Sequence, residues 1–346
     1  MKKVSYDNLV QFHRAILSKV GLDDQSLQSV TTGLCETSLR GVDSHGVRLL
    51  PHYVRSAQSG RKNPTPNYRY TQTFPAVGHL DADNAFGHAA GMKAIDHCIE
   101  MAESFGLGAV GVSNSSHSGA MASFALKAAR QGYMAFAFTH ADALQRSHGG
   151  KRAYFGTNPV CFAAPREEKE PFCLDMATSM ISWNKLLLYR SNNEMLPEAL
   201  AADKDGHPTK DPQKAVCLLP AGSYKGFGLA AMVDILCGVF TGMVFGRDIP
   251  AMFKAPMGQP RCLGQFYMVM RTDGCIDKAD FLRNMQQMTE EVRQEPAQEG
   301  QRVMLAGDPQ EHEARKRMQE GIPLDDTSVK SFEELSKQFQ VPLHWL

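Results

Sequence analysis

Gly106-Leu107-Gly108-Ala109-Val110-Gly111 matches the G-x-G-x-x-G pattern of a Rossmann dinucleotide-binding turn. In that fold the pattern follows a strand and opens a helix, because the helix N-terminus binds the pyrophosphate. Here it follows residues 92–104, which have helical spacing, and leads into residues 109–113, an apolar run typical of a strand. The order of elements is reversed, so these glycines are predicted to end a helix and form a turn.

Helical periodicity dominates the first part of the chain, and mixed patterns follow. The predicted helices lie at 6–20, 24–39, 52–59, 92–104 and 118–130, and the predicted strands at 76–81, 109–113, 133–139, 160–164 and 172–174. Two prolines mark residues 61–66 as a linker, and the dense charge of residues 290–320 predicts a solvated surface. The patterns therefore predict a mixed α and β protein.

Composition narrows the class of protein. The 346 residues suffice for one large domain or two, and 37 Lys and Arg balance 37 Asp and Glu, so the charge excess of a nucleic-acid-binding protein is missing. The first ten residues lack the apolar core of a signal peptide, which predicts a cytoplasmic protein. The eight cysteines form no C-x-x-C pair, so we expect them to be core residues and expect no metal site.

Residues 226–246 form an apolar stretch long enough to span a bilayer, with Asp234 as the single charge. A central Asp and five glycines favour a buried helix of a soluble protein over a membrane span. Gly238, Gly242 and Gly246 recur every four residues, which predicts a face that packs closely against another helix or a partner subunit.

Two histidines stand among small polar residues that form loops. His45 lies in Asp-Ser-His-Gly and His117 in Ser-Ser-His-Ser-Gly. Imidazole titrates near neutral pH and can exchange the proton of an alcohol that is being oxidised, so each is a candidate catalytic residue. The alternative for each is a loop histidine whose ring is hydrogen-bonded to backbone groups.

A lysine and two glycines, Lys225-Gly226-Phe227-Gly228, precede the apolar helix that is predicted to begin near Phe227. Free N–H groups at a helix start, glycines that permit close approach and a lysine suit a phosphate. An ordinary helix entrance explains the same residues equally well.

Taken in order, these segments resemble the malate/L-lactate dehydrogenase family, which is unrelated to the Rossmann lactate dehydrogenases. The resemblance spans nearly the whole chain, and the middle and C-terminal parts look most like the ureidoglycolate dehydrogenase branch. The motifs that carry it are Asp43-Ser44-His45-Gly46, His117-Ser118-Gly119, Gly156-Thr157-Asn158-Pro159, Asp175-Met176-Ala177-Thr178, residues 203–209, Leu218-Leu219-Pro220 and Lys225-Gly226.

The resemblance implies an α/β (α+β) fold with a mainly antiparallel, non-Rossmann nucleotide-binding sheet. It implies a helical substrate-side domain formed by residues 1–75 and joined by 315–346, and a cofactor-binding domain at 76–314. The expected activity is hydride transfer between NAD or NADP and a small 2-hydroxy or 2-oxo acid. A homodimer is expected, and no nucleic-acid or membrane partner.

The family also implies roles for individual residues. His45 and His117 would line the reaction site, with one of them as the acid/base, and Tyr53 would lie near the substrate. The residues expected to contact the cofactor are Asp175, Met176, Ala177, Lys225, Gly226, Gly307, Asp308 and Pro309.

Two positions depart from the family pattern. The family usually has arginine four residues after the histidine of Ser-His-Gly, where this chain has Leu49, and the arginine here is Arg48. Neighbouring residues point in different directions, so either Arg48 binds the substrate carboxylate through an altered turn or another residue binds it. Asn184 stands where the ureidoglycolate branch has glycine. Two alternatives stay open: relatives that reduce cyclic imines suggest imine reduction with NADPH, and a lost carboxylate contact would leave a nucleotide-binding protein with little catalytic activity.

Overall fold

The computed structural model describes residues 2–167 and 169–345. Capping side chains define several helix starts: Ser5 Oγ accepts from Asn8 N at 3.2 Å, and Asp23 Oδ1 accepts from Ser26 N at 2.7 Å. The α-helices of the described residues are α1 Tyr6–Lys19, α2 Asp24–Leu39, α3 Leu50–Gln58, α4 Gly87–Phe105, α5 Ala122–Ala129, α6 Trp183–Asn192, α7 Tyr224–Asp234, α8 Lys278–Gln294, α9 Asp308–Glu320 and α10 Asp326–Phe339.

Seven strands form the main sheet. Its strands are β2 Arg69–Phe74, β3 Val77–Asp81, β4 Leu107–Ser115, β5 Tyr133–Thr139, β8 Val160–Arg166, β9 Lys169–Met176 and β13 Leu263–Arg271. Their order is β2-β3-β4-β13-β5-β8-β9, and every neighbouring pair is antiparallel except β3 and β4. Helix α4 connects the two parallel strands, and α4 and α5 bury the apolar side chains of one sheet face.

Two smaller sheets complete the fold. A two-stranded sheet pairs β1 Lys2–Val4 with β14 Ile322–Leu324, which joins the two ends of the chain. The five-stranded sheet contains β6 Gln145–Arg146, β7 Ala153–Phe155, β10 Ala201–Ala202, β11 Pro208–Thr209 and β12 Cys217–Leu218. It packs with α6 around a small apolar cluster that includes Leu186 and Leu218.

The first three helices share one core with α10 and the β1/β14 sheet. Buried Phe12 and Phe332 meet across this core with their ring centroids 5.6 Å apart. Arg61 is fully buried, and it donates to the carbonyl oxygens of Met252, Ala255 and Pro256 at 2.7, 3.0 and 2.8 Å. These bonds attach the 252–256 loop to the helical core.

Several predictions made from the pattern are confirmed. Strand β5 spans residues 133–139 as predicted, and Gly106, with φ of 81°, ends α4 before β4. Six of the eight cysteines are buried; Cys262 is half-buried and Cys275 exposed. No helix in the described part of the chain combines the length and apolarity needed to cross a membrane.

Other predictions need correction. Helix α5 starts at Ala122, not at residue 118, and β2 was not predicted. Residue 75, the expected domain boundary, lies in the turn between β2 and β3, and the division into two domains stays a prediction. The glycine row does not share a helix face, because α7 passes into a π-helical turn, Ile235–Val239, and the helix ends there. Gly242 and Gly246 follow it with φ of 74° and 57°.

Candidate active site

The two candidate histidines lie side by side. His45 belongs to a short 3-10 turn, Asp43–His45, and His117 to the loop after β4. Their rings are stacked, with centroids 5.9 Å apart and planes inclined by 19°. Ser44 Oγ lies 2.8 Å from His45 Nδ1, so hydrogen bonding orients that ring. The structure therefore brings both predicted catalytic residues into one site.

Tyr53 orients the second histidine. It is fully buried on α3, and its hydroxyl lies 2.8 Å from His117 Nδ1 and donates to the His117 carbonyl oxygen at 3.3 Å. A hydroxyl that donates to the carbonyl can accept from Nδ1–H, which leaves His117 Nε2 as the free proton acceptor. Burial raises the pKa of Tyr53 well above its usual range, so the phenol stays protonated.

The turn that carries His45 is fixed from two sides. Arg317 on α9 is buried, and its Nη1 and Nη2 atoms donate to the two carboxylate oxygens of Asp43 at 2.6 and 3.0 Å. It also donates to the Ser38 carbonyl at 2.7 Å, and Asn184 Nδ2 donates to the Ser44 carbonyl at 3.2 Å. Residues 290–320 are thus not simply a solvated surface, because one of their arginines holds the site turn.

A cavity of 1310 Å³ extends from the histidine pair. Five of the residues predicted to contact the cofactor line it together with His45 and His117: Asp175, Met176, Ala177, Gly307 and Pro309. Six arginine or lysine residues line the same cavity, but only three acidic residues do: Glu36, Asp142 and Asp175. The space and the excess of cations suit a large anionic ligand such as a dinucleotide.

The turn before α9 forms one wall of this cavity. Gly307 has φ of 93° and packs on the backbone of Cys173, where an added Cβ would lie 3.1 Å from Cys173 N. Asp308 points away from the cavity lining and pairs with Arg293 at 2.6 Å and Arg166 at 3.1 Å. Burial opposes the ionisation of Asp308, but the bonds from Arg293 and other donors prevail and lower its pKa to about 2.

Lys225 and Gly226 lie in the first turn of α7, which begins at Tyr224, earlier than predicted. Their N–H groups are not free, because Lys225 N donates to Gly222 O at 3.3 Å and Gly226 N to Ala221 O at 2.8 Å. Neither residue is part of the cavity lining, although Ala221 is. The exposed ammonium of Lys225 is therefore the group left for a phosphate.

The arginines are arranged differently from the expectation. Arg48 is exposed and does not line the cavity, and Leu49 is buried in the helical core. Arg261, only 2% exposed, lines the cavity beside His117 and is paired with Asp142. Its Nε donates to the Pro250 carbonyl at 2.9 Å, which fixes its orientation.

The surroundings keep both site imidazoles neutral. Burial and the Arg48 charge lower the pKa of His45 to about 4. Burial lowers the pKa of His117 well below its usual range, with further contributions from His45, Lys62 and Arg261. Neutral imidazole accepts a proton, so the site can act as a general base at neutral pH.

Three residues that line this site or contact its residues were not predicted from the sequence: Lys62, Arg261 and Arg317. Lys62 lies in the proline-containing segment taken for a linker, and Arg317 in the charged tail. Arg261 directly precedes Cys262-Leu263-Gly264-Gln265, in the C-terminal part of the chain that resembles the ureidoglycolate dehydrogenase branch. That resemblance was the available signal for Arg261.

Comparison with known protein sequences agrees with this geometry. Residues 4–333 match the family model described as malate/L-lactate dehydrogenase. The chain is 35% identical over 325 residues to ureidoglycolate dehydrogenase (NAD(+)) of Escherichia coli K12, which covers 94% of this chain and 93% of that protein. The names of related enzymes include both NAD(+) and NADP(+) forms.

Solved structures show the same architecture. Malate dehydrogenase from Entamoeba histolytica superposes with a TM-score of 0.93 at 28% identity and covers 99% of both chains. Delta1-piperideine-2-carboxylate reductase from Pseudomonas syringae superposes with a TM-score of 0.85 at 27% identity, over 97% of this chain and all of that one. The mixed α/β fold is thus shared with dehydrogenases.

Proposed function

The chain belongs to the malate/L-lactate dehydrogenase family, and we propose that it transfers a hydride between NAD(P) and a small 2-hydroxy or 2-oxo acid. The observation that carries the proposal is that one cavity contains both the stacked pair His45 and His117 and the predicted cofactor residues Asp175, Met176 and Gly307. Related dehydrogenases of hydroxy acids support the same activity.

The cofactor is proposed to occupy the part of the cavity that is lined by the end of β9 and the turn before α9. Bound there, the nicotinamide supplies the hydride acceptor or donor. Asp175, Met176, Ala177, Gly307 and Pro309 would contact it, with Lys225 reaching a phosphate and Asp308 holding the Gly307 turn. The proposed nucleotide site would differ from a Rossmann site because it lies beside a mainly antiparallel sheet, and its glycine turn precedes α9 instead of connecting a parallel strand to a helix.

His117 is proposed to exchange the proton of the substrate hydroxyl. Tyr53 binds its Nδ1, which leaves Nε2 as the proton acceptor of a histidine that lines the cavity. His45 then contributes to the positioning of the substrate or takes the acid/base role in its place. In the oxidative direction the neutral imidazole removes the hydroxyl proton while C2 loses its hydride.

An arginine is proposed to bind the substrate carboxylate. Arg48 is the residue nearest in sequence to the family position, and Arg261 is the buried cation beside His117. A guanidinium can bind a carboxylate through two parallel hydrogen bonds, which also orients C2. The carboxylate contact would therefore distinguish 2-hydroxy acids from plain alcohols.

A second candidate function is reduction of a cyclic imine acid. It is favoured by the structural similarity to delta1-piperideine-2-carboxylate reductase, whose substrate also carries a carboxylate beside the reacting carbon. In that reaction the site would donate a proton to nitrogen. The two functions would use the same cavity and differ in which group receives the proton.

Steady-state assays with both cofactors separate these functions. We expect NAD(P)-linked oxidation of at least one acid in a panel of malate, lactate, sulfolactate and ureidoglycolate, and little reduction of piperideine-2-carboxylate. Reduction of the imine alone would favour the second candidate. Quenching of the fluorescence of the reduced cofactor without any turnover would instead indicate a nucleotide-binding protein.

We further propose that the enzyme is a cytoplasmic homodimer that uses the outer face of α7 and the turn after it. Leu229, Met232, Ile235, Val239 and Phe240 are exposed there. A two-fold contact places the same patch against itself, and the single charge of this segment, Asp234, is buried. Sedimentation should show a dimer that Ile235→Glu dissociates and Phe105→Glu, at another exposed site, does not.

A further inference from the structure

Lys62 is buried in an unusual place for a lysine. Only 1% of its surface is exposed, and its Nζ has no hydrogen-bond partner among the described residues. A buried ammonium normally pairs with a carboxylate, since an isolated charge is costly to remove from water. Lys62 lies in the segment 61–66, which was predicted to be a linker, and it has no role in the proposed mechanism.

Aromatic rings take the place of the missing anion. Lys62 Nζ lies 3.5 Å from the centroid of the Tyr53 ring and 4.8 Å from that of Phe86. The faces of aromatic rings attract a cation, most strongly where water is excluded. Burial, together with the charges of Arg261 and Arg61, lowers the pKa of Lys62 well below its usual range. The two ring faces oppose that effect because they stabilise the ammonium.

The Tyr53 ring links this ammonium to the acid/base candidate, because the Tyr53 hydroxyl is bound to His117 Nδ1 at 2.8 Å. A cation on the face of a phenol withdraws electron density from its oxygen. The hydroxyl oxygen then accepts less strongly from Nδ1–H, and an added proton on the imidazole would lie near a second positive charge. Both effects disfavour the imidazolium form of His117.

The largest electrostatic contributions to the pKa of His117 from the described residues come from cations and other histidines, not from carboxylates. The titratable and charged groups around His117 are His45 from the 3-10 turn, Tyr53 from α3, Lys62, His88 from α4, and Arg261, which is bound to Asp142. Asp142 is therefore already neutralised by its arginine. Of the two cations in this group, Arg261 has a carboxylate partner and lines the cavity, whereas Lys62 has no hydrogen-bond partner among the described residues and does not line the cavity.

We propose that Lys62 is a positioning residue whose ammonium, acting through the ring of Tyr53, holds His117 in its proton-accepting form. The identity of His117 as the acid/base rests on the proposed function, whereas the electrostatic link does not. The consequence is a free enzyme prepared to oxidise a hydroxyl group at neutral pH. An anionic substrate that enters the cavity would relieve this bias and allow His117 to carry the proton that it has removed.

The test is a direct titration of His117 in the full-length protein. Histidine labelled with ¹³C at Cε1 is followed by NMR over pH, and His117→Gln identifies the His117 signal. Lys62→Met keeps the length of the side chain and removes its charge, and we expect the pKa of His117 to rise by about one unit. Lys62→Gln, a second neutral side chain, should give the same rise.

Control variants separate charge from packing. Lys62→Arg should leave the His117 titration close to wild type, because it retains the cation. Lys93→Met removes a cation that lies 5.2 Å from the ring of Tyr68, a tyrosine not bonded to His117, and should change nothing. An unchanged His117 titration in folded Lys62→Met and Lys62→Gln overturns the proposal.

A double variant tests the route through Tyr53. In Tyr53→Phe the hydrogen bond to His117 is lost, so adding Lys62→Met should raise the pKa of His117 by clearly less than in the wild-type background. If Lys62→Met raised the pKa of His117 equally in the Tyr53→Phe and wild-type backgrounds, the Lys62 charge would act directly through space. The proposed route through Tyr53 would then be wrong. Because the titration needs no substrate, it stands apart from the assays of the proposed function. In an active enzyme, the acid limb of kcat/KM for oxidation should move to higher pH with the same variants.

Discussion

At the scale of single residues, His117 and His45 differ in what holds their Nδ1 atoms. Tyr53 holds His117 from a fully buried position, whereas Ser44 holds His45 from within the same turn. The more rigid support belongs to His117. This difference favours His117 as the acid/base and His45 as its neighbour in substrate positioning.

Replacement of either histidine should impair turnover with little effect on folding. A general acid/base contributes about 10²- to 10⁴-fold to the rate, so we expect His117→Gln and His45→Gln to lower kcat within that range. His207→Gln, at an exposed position, serves as the control. Turnover near the wild-type rate in both site variants would remove the imidazole from the mechanism.

The two arginines give opposite expectations for substrate binding. If Arg261 binds the carboxylate, Arg261→Lys keeps the charge but loses the paired hydrogen bonds, and KM should rise about 10- to 150-fold. Arg48→Met should then change KM less than about twofold, because Arg48 is exposed and outside the cavity lining. The reverse pattern in the KM values would identify Arg48 as the substrate residue.

At the scale of elements, the first turn of α7 bears on cofactor binding. The exposed ammonium of Lys225 can form a charged hydrogen bond with a phosphate, which is worth about 1.5 to 3 kcal/mol. Lys225→Ala should therefore weaken cofactor binding about 10- to 150-fold in a fluorescence titration, without changing substrate preference. The exposed Lys214→Ala is the matched control. An equal cofactor Kd in the two variants would show that the phosphates lie elsewhere.

Asp234 explains how one charge is tolerated inside α7. Its carboxylate accepts from Gly246 N at 2.9 Å and Asn158 Nδ2 at 3.2 Å, and lies 3.4 Å from His140 Nδ1. Removing the carboxylate leaves Gly246 N without its acceptor and takes one of the two acceptors of Asn158 Nδ2, so Asp234→Ala should lower the free energy of unfolding by about 3 kcal/mol. Asp248→Ala, which is exposed, should cost less than about 0.5 kcal/mol in the same urea titration. Similar losses in both would contradict a structural role for this network.

Elements with strong periodicity were predictable, and contacts between distant segments were not. The alternation of β5 and the helical spacing of α1 and α2 depend on near neighbours, and their bounds agree within about two residues. The prediction that Gly238, Gly242 and Gly246 share a helix face was wrong, because their spacing does not show that the helix ends near Val239. The site histidines were found through their local motifs. Lys62, Arg261 and Arg317 act through partners far along the chain, which a local pattern does not reveal.

At the scale of the whole molecule, buried histidines make stability depend on pH. Burial lowers the pKa of His13 to about 4, of His45 to about 4, of His52 to about 3 and of His88 to about 3. In the unfolded chain each would titrate near 6.5, so unfolding takes up protons between these values. The free energy of unfolding is therefore highest above about pH 6.5, and it decreases as the pH falls toward 4 and 3.

Urea unfolding at several pH values should reveal this uptake. Each buried histidine contributes a slope of up to about 1.4 kcal/mol per pH unit below 6.5. His13 packs between Phe12 and Phe332 and contributes part of this slope. His13→Phe removes that part. The slope between pH 6 and 4.5 should fall by about that amount in the variant. An unaltered slope would show that His13 is already protonated in the folded protein.

The central claim is direct hydride transfer between C2 of a hydroxy acid and the nicotinamide in the cavity beside His117. Its most direct measurement uses the substrate identified in the panel, labelled with deuterium at C2, followed by mass spectrometry of the cofactor. We expect a reduced cofactor that carries one deuterium, formed at the wild-type rate by His207→Gln and far more slowly by His117→Gln. Reduced cofactor without deuterium, or equal transfer by the two variants, would contradict it.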